Sequence, residues 1–254
     1  MIPAALSGFF DHPATILAII ATFLVAGTVK GVIGIGMPAI CMVLLTLFLP
    51  PLEAIPLTAI PTMIVNLLQI QRADARHMVV RKYGVFGITL LVSIFLTGYF
   101  ILSFPETLLL LVLGMAMVIF AVQSFAGLTL RFSPASYWQV ICGIVTGFIG
   151  GLSSVFSPPI VMYLLGREAD KDEFIAATGF LFFAGCAPLV LALILNGVLS
   201  FDLAVTSLLG LVAALAGFMI GEWIRSYLSA EIFRKLILLF FLVMGCRLVV
   251  ISLI

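Results

Sequence analysis

The chain has 254 residues, of which 64% are hydrophobic and 9% charged, with a net charge of +1 and a mean hydropathy of +1.36. Soluble domains carry about 25% charged residues, so these charges are too few to cover a surface facing water. The near-zero net charge gives no electrostatic footprint for nucleic acid, and the chain reads as an integral membrane protein.

Met1 to Pro13 contains no Lys or Arg. It lacks the basic stretch of a cleaved signal peptide, so the first apolar segment is expected to remain as a transmembrane helix. Apolar segments cover 14–30, 32–49, 53–70, 83–102 and 105–126, then 134–150, 155–166, 173–196, 202–223 and 231–252. Most approach the roughly 20 residues that a spanning helix needs. The expected fold is an all-α polytopic membrane protein with two halves, 1–127 and 134–254, of about five segments each. That amounts to roughly eight to ten transmembrane helices, some of them broken or re-entrant.

Each half contains a stretch that cannot be regular helix. The first reads Gly27-x-x-x-Gly31-x-x-Gly34 and ends in Gly36-Met37-Pro38; the second reads Gly143-x-x-x-Gly147-x-x-Gly150 and runs through Ser153, Ser154 and Ser157 to Pro158-Pro159. Glycine and proline at this density break a helix. Irregular backbone at membrane depth is tolerated only where protein buries it or a cavity receives it. Matching broken segments, one per half, are a sequence pointer to a transporter's binding site. Aligning the glycines sets Gly34 against Gly150, an offset of 116 (150 − 34). Pro38 with Pro158, and Glu53-x-x-x-x-Thr58 with Glu173-x-x-x-x-Thr178, give 120 (158 − 38; 173 − 53). The second copy is therefore expected to carry extra residues around Leu152 to Ser157. Pro105-Glu106 and Ala230-Glu231 resemble each other as starts of the fifth segments.

Basic residues set the orientation. Arg72, Arg76, Arg81 and Lys82 crowd one loop, which the positive-inside rule places in the cytoplasm. Alternation puts Lys30, Arg131, Arg167, Lys171, Arg225, Arg234 and Lys235 on the same side, and Asp11, Glu53, Glu106 and Asp202 outside. An odd number of segments per half makes the halves enter from opposite faces, as an inverted repeat with the N-terminus outside.

Proline favours the first turn of a helix, after a Gly or Ser cap, so Gly36 and Ser157 are expected as caps of two half-helices. Pro38–Leu49 would be about 18 Å long and Pro158–Gly166 about 13 Å. Their N-termini would meet in mid-membrane, presenting N–H groups and positive dipole ends as an anion site without a basic side chain. The candidate substrate-binding residues are Gly34, Gly36, Pro38, Asn66, Thr146, Gly150, Gly151, Ser153, Ser154, Ser157 and Pro158. The competing reading is that these glycines and serines only let helices pack closely. Asn66 fits an interhelical hydrogen bond as well as a ligand contact. Gln69 and Gln71 fall near a segment end, where solvation is expected. Lys30 and Arg247 are the basic residues nearest the apolar core; snorkelling is the expected role, with anion attraction as the alternative. Glu222 and Arg225 are spaced to pair, and Pro56, Pro61 and Pro188 to kink their helices.

Nothing converges for catalysis: His12 and His77 fall in a terminal segment and a basic loop, and no cluster of acid, base and nucleophile is visible. Cys41, Cys142, Cys186 and Cys246 show no ligand spacing, so no metal and no cofactor is expected. No Asp or Glu falls mid-helix, which argues against a carboxylate proton relay.

The Gly27-to-Pro38 run, the Gly143-to-Pro159 run and the two Glu-x-x-x-x-Thr helix starts resemble the TauE/SafE family of sulfite exporters and their 4-toluene-sulfonate-uptake-permease relatives. The resemblance implies a secondary transporter of the bacterial inner membrane, exporting sulfite, an organosulfonate or a related sulfur oxyanion. It also implies a small anion and the bilayer as partners, no nucleic acid, and leaves a homodimer open. The competing functions are an anion channel and a membrane enzyme or assembly factor without a transport cycle. A channel would show rings of charge or filter carbonyls, and an enzyme would show converging titratable groups.

Overall fold

The computed structural model describes residues 13–127, 131–133, 135–225 and 230–253. Among the described residues every regular element is helical: α1 (Pro13–Ile33), α2 (Met37–Leu45), α3 (Pro51–Arg72), α4 (Arg76–Lys82), α5 (Gly84–Tyr99), α6 (Glu106–Phe125), α7 (Ser136–Ser153), α8 (Ser157–Gly166), α9 (Lys171–Leu195), α10 (Phe201–Arg225) and α11 (Ala230–Leu253). Asp11, His12 and the side chains of Lys171, Arg225 and Arg234 lie outside the described residues, and with them the expected pairing of Glu222 with Arg225.

Among the described residues five helices are long and apolar enough to cross a membrane: α1, α3, α6, α10 and α9 from Asp172 onward. A sixth span results if α4 and α5, bent by 71°, are taken together. The short helices α2 and α8 are the second segments of the two halves, interrupted as the proline and glycine content requires. In α3 and α9 61% of the apolar window is buried, against 39% in α6 and α10, so α3 and α9 form the centre. Large apolar side chains such as Leu17, Ile88, Val212, Met219 and Trp223 point outward, the expected surface of a protein solvated by lipid.

Helices pair as α1 with α10, α5 with α7, α3 with α9, α6 with α11, α3 with α10 and α5 with α9. Glycines make two of these contacts intimate. A Cβ at Gly27 would sit 2.2 Å from the Ala214 carbonyl oxygen, and one at Gly31 2.3 Å from that of Phe218. On the other side, Gly143, Gly147 and Gly151 face Thr89, Ser93 and Thr97 of α5. The four-residue glycine spacing is therefore a packing stripe, where small residues let backbones approach.

Backbone groups freed by breaks find side-chain partners, as a low-dielectric surrounding demands. Pro61 has no N–H, so the Leu57 carbonyl one turn earlier loses its helical donor; the Ser207 hydroxyl of α10 donates to it at 2.9 Å. At the bend between α4 and α5, buried Gln139 of α7 accepts from the Phe86 N–H at 3.0 Å and donates to the Lys82 carbonyl at 3.1 Å. Its amide replaces the helical bond that the bend removes. Asn196, at the end of α9, donates to the Gly98 and Tyr99 carbonyls that end α5. Asp170 caps α9 by accepting from the Glu173 N–H at 2.8 Å, and Glu173 accepts from Lys82 at 2.6 Å and from the Tyr83 hydroxyl.

Candidate functional site

The two chain breaks occur at matching positions. α1 ends at Ile33 and α2 begins at Met37; α7 ends at Ser153 and α8 begins at Ser157, each offset by 120 (153 − 33; 157 − 37). This corrects the glycine alignment: Gly34 corresponds to Ser154, not Gly150, and no extra residues sit in the second break. Backbone conformation agrees, since Gly34 has φ +92° and Ser154 φ +57°, both left-handed. Gly36, at φ +97°, caps α2.

Two details of the half-helices differ from expectation. α2 stops at Leu45 and is nine residues long rather than running to Leu49. The Thr46 hydroxyl takes the Met42 carbonyl at 2.7 Å and the chain tightens into a turn before Pro50-Pro51. Ser157 is the first residue of α8, not its cap; Phe156 holds that position, and no side chain caps the helix. The Ser157 hydroxyl is thus not consumed locally. It is buried at 3% exposure with no hydrogen-bond partner, and the Ser154 hydroxyl is buried and unpartnered as well.

The first break and the start of α8 face a cavity of about 440 Å³, walled by Gly34, Ile35 and Gly36 from the break and Ser157 from α8, with Val161, Phe174, Ile175 and Thr178 completing much of it; Ser154 is not among its lining residues. A second cavity of about 460 Å³ is lined by Lys30, Gly31, Gly34, Val65, Gln69, Arg72 and Glu222. Gly34 and Ile175 belong to both.

Of the other sequence candidates, Pro38 and Pro158 lie buried in the first turns of α2 and α8. Thr146 donates to the Cys142 carbonyl at 2.5 Å. Ser153 donates to Ile149 at 2.7 Å and accepts from the Val155 N–H at 3.2 Å, closing the end of α7. A Cβ at Gly150 would meet the Phe156 ring at 2.6 Å, and one at Gly151 would meet Thr97 at 2.6 Å. None of these four residues lines the 440 Å³ cavity.

Lys30 is not a snorkelling residue. It is 1% exposed, and its Nζ donates to Asn66 Oδ1 at 2.7 Å. The contact joins α1 to α3, so Asn66 does make an interhelical bond, with an ammonium. Arg247, by contrast, is exposed on α11. Gln69 is not simply solvated either: its amide donates to the Ile175 carbonyl at 2.8 Å and to Thr178 at 3.1 Å. Sequence reasoning passed over Thr62, whose hydroxyl is buried without a partner. It falls four residues before Asn66 on the same face of α3, and that spacing could have marked it. Among the described residues no His, Cys, Asp and Glu group could hold a metal ion.

The family model for the sulfite exporter TauE/SafE matches residues 19–248, a span that includes both breaks, both cavities and Lys30. The chain belongs to the TauE/SafE family. No curated protein and no solved structure gave a significant match. Membership makes the molecule a multi-pass membrane transporter rather than an enzyme, and implies a small anionic substrate. In a TauE/SafE transporter the two breaks are then the natural place to look for that anion.

Proposed function

We propose that this protein is a secondary transporter that exports a small sulfur oxyanion, sulfite or an organosulfonate, across the bacterial inner membrane. The observation that carries the reading is the 440 Å³ cavity between the first break and the start of α8, with the unpartnered Ser157 hydroxyl in its wall. An oxyanion leaving water needs hydrogen-bond donors around it. Open backbone at Gly34 and Gly36, the positive ends of α2 and α8, and the Ser157 hydroxyl supply them. Pro158 and Pro159 remove two N–H groups from the first turn of α8, so the hydroxyl carries more of the burden on that side.

The two halves, 1–127 and 134–254, act in this reading as an inverted repeat. Breaks at matching positions support it, as does the exchange of partners, α1 with α10 and α7 with α5. Rocking one half against the other then exposes the site to each face in turn. The end of the protein that carries Arg72, Arg76, Arg81 and Lys82 is taken as cytoplasmic. The inside-negative potential drives an anion outward by about 2.3 kcal/mol per charge per 100 mV.

Proteoliposomes preloaded with sulfite test the reading. Labelled sulfite should accumulate transiently by counterflow, and collapsing the pH gradient at fixed potential should leave the rate unchanged. Uptake that never exceeds equilibration would indicate a channel, and a rate that falls with the pH gradient would overturn the uncoupled mechanism.

A further inference from the structure

Lys30 and Glu173 are the buried charged side chains among the described residues. Glu173 has Lys82 as its counter-ion at 2.6 Å. No carboxylate lies within ion-pair distance of Lys30 among the described residues; its Nζ has Asn66 Oδ1 at 2.7 Å and the Phe182 ring centroid at 5.9 Å. An ammonium has three donors, and the asparagine uses one. The Asn66 amide is fixed in turn by donating to the Thr62 carbonyl at 2.7 Å, and the Thr62 hydroxyl beside it has no partner.

Packing does not require this cluster. At the offset of 120 shared by the breaks, Lys30, Thr62 and Asn66 correspond to Gly150, Phe182 and Cys186. The second half carries no charged side chain at those positions. A buried cation without a counter-charge is costly to hold, and a ligand that brings the charge removes that cost. The cavity beside it is walled by Lys30 and Gly34 and reaches Arg72 and Glu222, the latter not within ion-pair distance of Lys30, while Gly34 also faces the cavity of Ser157.

We propose that Lys30, Asn66 and Thr62 form a second anion subsite, which takes a small oxyanion and supplies its counter-charge between the Arg72 cavity and the Ser157 cavity. The proposal rests on the anion-transport reading above and adds the cation that a site of backbone and hydroxyl donors lacks.

The test is thermal unfolding of the purified protein titrated with sodium sulfite, with sodium chloride at equal ionic strength as control, on wild type, Lys30→Met, Asn66→Asp and Ser157→Ala. Lys30→Met should melt higher than wild type without sulfite, because a buried unpaired charge is gone, and should lose at least about tenfold in sulfite affinity. Asn66→Asp gives Lys30 an internal counter-ion and should also lose about tenfold or more while remaining folded. If Lys30→Met does not fold, Asn66→Asp decides alone. Wild-type affinity in Asn66→Asp and in any folded Lys30→Met overturns the subsite; if Ser157→Ala is weakened at the same time, the transport site stands without it. Loss in the Lys30 and Asn66 variants with Ser157→Ala unaffected keeps the subsite and removes the Ser157 site. No sulfite response in wild type overturns both.

Discussion

Ser154 holds a left-handed conformation that favours glycine, and its buried hydroxyl has no acceptor or donor in the protein. A non-glycine residue in that region costs about 1–2 kcal/mol, and an unsatisfied buried hydroxyl adds to the cost. Its counterpart Gly34 occupies the same region without the steric cost. Ser154→Gly should therefore raise the melting temperature, by roughly 1 kcal/mol of stability. Ser157→Ala should leave stability near wild type and weaken binding by about 0.5 to 3 kcal/mol. Thermal unfolding with and without sulfite reads both, and a Ser157 kept only for packing would leave sulfite affinity unchanged in Ser157→Ala. Bulk at the two glycines acts through different physics. A Cβ at Gly34 meets nothing within 4 Å, so its penalty is the φ of +92°, whereas at Gly150 it strikes Phe156.

At the level of elements, polar side chains from neighbouring helices repair broken ones. Gln139 is the clearest case, because one amide serves both ends of the gap between α4 and α5. Gln139→Leu should orphan an N–H and a carbonyl at about 1–3 kcal/mol each, lowering the melting temperature, while Gln139→Glu, which keeps the acceptor, should cost less. Equal loss in the two variants would show that the amide does not bridge the bend. Hydropathy made the segments legible in the sequence, since lipid solvation writes a nearly continuous apolar signal into each span. The break positions were legible from Pro38 and Pro158. Their register was not, for a physical reason: glycines repeat every four residues along a packing face, so a slip of one turn superposes Gly34 on Gly150 as readily as it matches the stripe. Lys30 was misjudged because segment ends usually let a lysine reach water. Only the approach of α3, which brings Asn66 to it, shows that this one does not.

For the whole molecule, the inverted arrangement proposed above makes a topological prediction. In a background without the four native cysteines, Asp74→Cys and Asp202→Cys should label from opposite faces of the membrane; labelling from one face would contradict the inverted halves. The same arrangement couples the ends of the chain. α1 packs its glycine stripe on α10, whose backbone approaches through Gly217 and Gly221, yet Ile33 and Phe201 are separated by 168 positions (201 − 33). At a synthesis rate of about 5–20 residues per second, α1 sits in the bilayer for roughly 8 to 34 seconds before its partner is made. During that interval lipid, rather than a neighbouring helix, must fill the groove over Gly27 and Gly31. Biogenesis of this protein thus has a waiting step: its first helix is inserted early and closed late, and the nascent chain offers membrane quality control an unfinished surface until the tenth helix arrives.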